Sequence, residues 1–221
     1  MMPLEAEAPD PRRMPVLVLA DTSGSMTVDG KIGVLNDAIR RMVDSLSRVD
    51  IPDCVITVAV VSFGDEEARM HLPMTPVRDL QWEALQASGR TPMGQAFELA
   101  RLLLEDDTVV PRRSYRPNLV LVSDGIPTDE WRSPLQRLDE TEQARRALRF
   151  AVGVGADMKL DVLRDFAGPL GEVVDVENVE MLIEFFKFVT TTVTATILQP
   201  VQSQAELPTF KDYPTNDVIE F

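Results

Sequence analysis

Two carboxylates and three hydroxyls stand at spacings that could hold a divalent cation. They are Asp21, Ser23 and Ser25 in Asp21-Thr22-Ser23-Gly24-Ser25, Thr91 in Ser88-Gly89-Arg90-Thr91-Pro92, and Asp124 in Ser123-Asp124-Gly125. Oxygen donors of this kind suit hard ions such as Mg²⁺ or Mn²⁺. Mg²⁺ takes near-octahedral oxygen coordination at roughly 2.0–2.1 Å and gives up its waters reluctantly. With only two negative ligands, an ion held this way keeps affinity for a third anionic oxygen from outside.

The elements around these residues must bring them to one place. Val16-Leu17-Val18-Leu19-Ala20 is a continuous apolar run, the pattern of a strand buried on both faces of a parallel sheet, and it delivers Asp21 to the strand's carboxyl end. Asn118-Leu119-Val120-Leu121-Val122-Ser123 does the same for Asp124, and Gly125 permits a sharp turn away. Ligand crevices of open α/β sheets form at such carboxyl ends. Thr91 precedes Pro92 and a helical pattern through Ala96, Leu99, Ala100, Leu102 and Leu103, and so reads as a helix N-cap whose positive helix end would welcome an acidic ligand. Ser88-Gly89-Arg90 is expected to supply a mobile approach. Any one segment alone also fits an ordinary Asx-turn or cap; three in this order, at these strand ends, favour a metal site.

Asp-x-Ser-x-Ser after the first strand, a central threonine and a later Ser-Asp-Gly resemble the metal-ion-dependent adhesion site of von Willebrand factor type A (VWA) domains. The resemblance covers roughly residues 14–198. Within that superfamily, the phrase Ser123-Asp124-Gly125-Ile126-Pro127-Thr128-Asp129-Glu130-Trp131 is most similar to small bacterial proteins of the tellurite-resistance and stress-response type. The resemblance implies Ser23 and Ser25 as direct ligands, Thr91 as a direct or water-bridged one, and Asp21 and Asp124 acting mainly through water and by orienting the hydroxyls. It also implies a sixth position filled by a partner's Glu or Asp, and possible coupling to movement of the carboxy-terminal helix.

The rest of the chain predicts a doubly wound α/β fold, mostly parallel with one antiparallel edge strand and helices on both faces. A tail runs to residue 13, a VWA domain occupies 14–198, and an extended tail follows over 199–221. The first helix spans about Gly30 to Arg48 on a stripe of Ile32, Leu35, Ile39, Met42, Val43 and Leu46. Cys54 to Phe63 and Ala68 to Met74 read as an antiparallel pair joined at Gly64-Asp65-Glu66, where the acidic run Asp65-Glu66-Glu67 is expected to be a solvated turn. Further expectations are a helix over Pro134 to Leu148, a strand at Phe150 to Gly155, a helix over Lys159 to Ala167 and a strand at Glu172 to Val176. A terminal helix follows, capped by Asn178 and built on Leu182, Ile183, Phe185, Phe186 and Val189, with fraying expected at Thr190 to Thr192. The tail holds Phe210, Tyr213, Val218, Ile219 and Phe221, which could seat it in a groove of the domain or of a partner, or leave it as a disordered terminus.

The 221 residues carry 22 Lys and Arg against 36 Asp and Glu, a formal charge of −14 that opposes binding to nucleic acid or anionic membranes. One cysteine excludes an internal disulfide, the acidic amino terminus does not read as a secretory signal, and no apolar run reaches the ~20 residues of a membrane helix, so a cytoplasmic protein is expected. Gly153-x-Gly155 lacks the third glycine of a dinucleotide loop. His71, the single histidine, and Cys54 lie away from the metal segments and do not support a nucleophilic triad. Asp21 as a phosphoryl-accepting nucleophile would want a second carboxylate two residues on, where Ser23 stands.

The resulting expectation is a non-enzymatic interaction module in which Mg²⁺ or Mn²⁺ accepts a partner's carboxylate, in a stress-response setting with a protein kinase and a protein phosphatase as associates. Its alternatives are an adaptor for a hexameric chelatase- or chaperone-type ATPase and a Mg²⁺-dependent phosphatase.

Overall fold

Strands that are apolar at every position need cover on both faces, and this chain supplies it with two helical layers. The computed structural model describes residues 10–155, 160–169, 171–176, 179–198 and 209–212. A sheet of six strands runs in the order β3-β2-β1-β4-β5-β6. The strands are β1 (Arg12–Asp21), β2 (Cys54–Gly64), β3 (Glu67–Pro76), β4 (Asn118–Ser123), β5 (Leu148–Val154) and β6 (Glu172–Val176). All pairs are parallel except β2 with the edge strand β3.

Alternate residues of each strand feed opposite cores. Val16, Val18 and Ala20 face the layer of α1 (Lys31–Ser47) and α6 (Val179–Leu198). Leu17, Leu19, Val61 and Phe63 face the layer of α2 (Met93–Glu105), α3 (Arg132–Glu140) and α5 (Leu160–Ala167). The predicted stripe of α1 is buried at Leu35, Ile39, Met42, Val43 and Leu46.

Four expectations about elements change. The helix predicted over Pro134 to Leu148 is two helices, because Thr141 takes extended backbone angles (φ −72°, ψ 143°) and its hydroxyl accepts the Ala144 N–H to open α4 (Glu142–Arg146), while Leu148 already belongs to β5. Thr91 is not an N-cap. Helix α2 begins at Met93, and its first free amides are capped from far along the chain: Gly94 and Gln95 each donate to the Asp129 carboxylate at 3.0 Å. The positive end of α2 is therefore already occupied by an anion.

Thr190 to Thr192 do not end α6. Thr190 and Thr192 are buried, and the Thr190, Thr191, Thr194 and Thr196 hydroxyls donate to carbonyls four residues back, which absorbs their polarity inside the helix. The predicted cap Asn178 lies outside the described residues. Met181–Leu198 is, by length and composition, also long and apolar enough to cross a membrane, contrary to the sequence expectation. Its packing accounts for that character, since Phe185, Phe186, Phe188, Val189 and Val193 are buried in the core against α1 and the sheet. Of the tail, residues 209–212 are described. They form a 3-10 turn whose Phe210 ring packs on Phe185 and Phe188, with its N–H donated to Glu172 at 2.8 Å.

Replacing Asp129 with Ala strips the cap from α2 and should cost about 1–2 kcal/mol in urea denaturation; a loss below ~0.3 kcal/mol would show that the two amides are satisfied otherwise.

Candidate metal centre

Strand register does the first part of the assembly. β1 and β4 run parallel with Ala20 opposite Val122, so Asp21 and Ser123 emerge side by side at the carboxyl edge. Asp21 is fully buried. Its Oδ1 accepts the Ser23 N–H at 2.8 Å, and its Oδ2 accepts the Ser123 hydroxyl at 2.5 Å. The Ser123 oxygen in turn accepts the Gly125 N–H at 3.2 Å. One carboxylate thereby ties the loop after β1 to the loop after β4.

The hydroxyls continue the run. Ser23 and Ser25 oxygens are 2.9 Å apart, and Ser25 donates to Asp124 Oδ1 at 2.7 Å. Thr91 joins by way of Gly125: a Cβ there would lie 3.2 Å from Thr91 Oγ1 and 3.6 Å from Asp21 Oδ2, so the bare glycine leaves open the space those two groups share. This steric role adds to the turn predicted at Gly125, where the chain bends directly after β4. The Thr91 backbone is fixed by Thr128, which receives its N–H at 3.1 Å and donates its own N–H to the Thr91 carbonyl at 3.0 Å.

The approach through Ser88-Gly89-Arg90 is pinned rather than free. Ser88 N–H donates to the Thr22 carbonyl at 2.8 Å, Gly24 N–H to the Gly89 carbonyl at 3.0 Å, Asp65 N–H to the Ser88 carbonyl at 2.7 Å, and Arg90 N–H to the Asp65 carbonyl at 2.9 Å. Gly89 has φ +68°, and a Cβ on it would fall 2.3 Å from the Asp65 Cα, so glycine is required there. Asp65, expected in a solvated turn, also accepts the Ser88 hydroxyl at 2.5 Å and so acts as a strut under the site.

All five predicted residues, Asp21, Ser23, Ser25, Thr91 and Asp124, therefore meet at one edge. Sequence reasoning missed three others. Ser123 holds Asp21, Asp129 caps α2, and Lys31 donates to Asp124 Oδ2 at 2.6 Å. A signal for Lys31 was present, because a cation in a helix's first turn opposes the helix dipole and so asks for a tertiary reason. His71 and Cys54 take structural places. His71 Nε2 lies 2.8 Å from the Glu83 carbonyl with its ring edge-on to Trp82, and Cys54 begins β2, its thiol pKa raised by burial.

Burial dominates the electrostatics of Asp21 and pushes its pKa up to about 6; the Ser123 and Ser23 hydrogen bonds pull the other way, and the Asp124 charge adds to the rise. A carboxylate so desolvated, beside a second one, asks for positive charge. Among the described residues no group of three or more His, Cys, Asp or Glu side chains is placed to hold a metal. A cation at this edge would accordingly draw on hydroxyl oxygens, the donor set that Ser23, Ser25 and Thr91 present.

The model of the von Willebrand factor type A domain matches residues 16–126. No curated protein sequence matches the chain. Among solved structures, a von Willebrand factor type A protein from Catenulispora acidiphila superposes with a TM-score of 0.66 at 21% identity, over 83% of this chain and 43% of that one. Proximal thread matrix protein 1 from the mussel byssus, with zinc in its MIDAS motif, gives 0.66 at 17% identity over 83% and 48%. The VWA domain of SpRpn10 gives 0.55 at 15% identity over 81% and 95%. The chain thus spans less than half the length of the first two.

Between its unfolded value near 3.8 and its folded value of about 6, Asp21 binds its proton more tightly in the folded protein, so this group adds stability as pH falls through that window and none of that gain is present above it. Wild type should therefore gain on Asp21→Asn by up to ~1.4 kcal/mol per pH unit between about 6 and 4, in metal-free chemical denaturation. A pH-independent difference would contradict the raised value.

Proposed function

Since the chain belongs to the von Willebrand factor type A family, whose domains are protein-interaction modules, we propose that it docks a partner protein's Asp or Glu side chain on a divalent cation at the carboxyl edge of its sheet. The observation that carries this reading is the unbroken hydrogen-bonded run from Ser123 through Asp21, Ser23 and Ser25 to Asp124, with the Thr91 hydroxyl beside it. Ser23, Ser25 and Thr91 would hold Mg²⁺ or Mn²⁺ directly, with Asp21 and Asp124 acting through water and orienting the hydroxyls. A bound divalent cation supplies an electrophilic position open to a carboxylate oxygen. Ser25 is exposed at this edge, and the large apolar side chains of Val28 and Ile126, which follow the two motif loops, are also exposed. A partner's acidic residue would thus find apolar neighbours around it.

The same geometry supports a docking role over phosphoryl transfer. The Asp21 side chain is fully buried, whereas an attacking carboxylate needs a path to the phosphorus. The setting we propose is a cytoplasmic stress-response system of the tellurite-resistance type, with a protein kinase and a protein phosphatase as associates. Its support is the Ser123–Trp131 phrase.

Calorimetry with Mg²⁺ and Mn²⁺ tests the site. The double variant Ser23→Ala with Ser25→Ala should lose ~10²-fold or more in affinity, and affinity unchanged from wild type would remove the assignment. A pull-down from cell extract in Mg²⁺ should retain a partner that chelator releases and that the double variant fails to capture.

A further inference from the structure

One charged group at this edge is unused by the docking reading. Lys31 opens α1 directly after Gly30, which holds the left-handed conformation (φ 71°) that swings the chain into the helix. Its Nζ donates to Asp124 Oδ2 at 2.6 Å. The Asp124 side chain is 0% exposed and that of Lys31 only 18%, so this is a covered ion pair and not a surface contact. The other Asp124 oxygen accepts from Ser25, which leaves the carboxylate shared between an internal ammonium and a candidate metal ligand. Across the sheet edge, Gly155 (φ +110°) clears the space the lysine needs, since a Cβ there would come within 3.3 Å of Nζ and 3.6 Å of Cε.

We infer that Lys31 sets the metal affinity of the site: its fixed ammonium is a built-in competitor for Asp124 that keeps the metal-free edge assembled and weakens divalent-cation binding. This inference rests on the cation-site reading. An ammonium cancels one of the two carboxylate charges, and any divalent ion entering beside it meets like charge in a poorly screened setting. The loaded site then retains more positive charge than two uncompensated carboxylates would leave it, which favours the external carboxylate. Removing the ammonium also leaves Asp124 covered and unpaired, a costly arrangement that an incoming cation would relieve.

The test is a calorimetric Mn²⁺ titration of wild type, Lys31→Met and Lys31→Arg, with thermal denaturation of each in chelator and in Mn²⁺. Lys31→Met should bind Mn²⁺ roughly tenfold tighter or more, and Lys31→Arg, which keeps the charge, should stay within about threefold of wild type. In chelator Lys31→Met should melt below wild type, and Mn²⁺ should close that gap. Equal or weaker Mn²⁺ binding by Lys31→Met, with wild type binding normally, overturns the role of Lys31 and leaves the cation site standing. Absence of Mn²⁺ binding by wild type brings down the site and this inference together. If Lys31→Met does not fold, Lys31→Gln takes its place under the same criteria.

Discussion

A single buried carboxylate organises this edge of the molecule. Asp21 ends β1 with both oxygens spoken for, one by the amide two residues on and one by a hydroxyl on the neighbouring strand. Burying an ionised group is unfavourable unless its lone pairs are met, so the two loops it joins are held where they meet them. Ser23 and Ser25 follow from the first loop and Asp124 from the second. Without that carboxylate the strands would still pair, but the buried tie between the loop after β1 and the end of β4 would be lost.

The supports lie one layer out and come from distant parts of the sequence. Asp65, at the β2–β3 turn, fixes the loop that carries Thr91 through backbone pairing with Ser88 and Arg90, and Thr128 holds the Thr91 backbone from the far side. Asp129 satisfies the first free amides of α2. The edge is therefore stiff through its main chain while its candidate donors are hydroxyls, a division that would suit the proposed cation site.

The layer order, the strands and the five oxygen-bearing residues were legible because they rest on local signals: unbroken apolar runs, their carboxyl ends, and polar loops directly after them. What was not legible depends on contacts between distant segments. Thr91 reads as a cap from its neighbours alone, yet Asp129, 35 residues beyond the Gly94 amide it accepts, takes that role. Lys31 carries one local signal, a cation at a helix start, but its partner shows only once α1 is laid against the loop after β4. Thr190, Thr191, Thr194 and Thr196 of α6 are poor helix formers in isolation and stable ones once the helix packs on the core and the carbonyls four residues back accept their hydroxyls. In each case tertiary packing overrides local propensity.

The aromatic seat of Phe210 bears on where the folded unit stops. Among the described residues every strand and major helix is complete by Leu198, so a protein chemist trimming the chain would choose that residue as a natural end. Yet the Phe185 and Phe188 rings on α6 are roofed by Phe210, and Glu172 on β6 spends a carboxylate oxygen on its amide. A fragment cut at Leu198 would bare those ring faces to water and orphan that acceptor, trading a closed flank for a sticky one. Residues 209–212 thus belong to the folding unit by the criterion of what they shield, although they add nothing to the sheet.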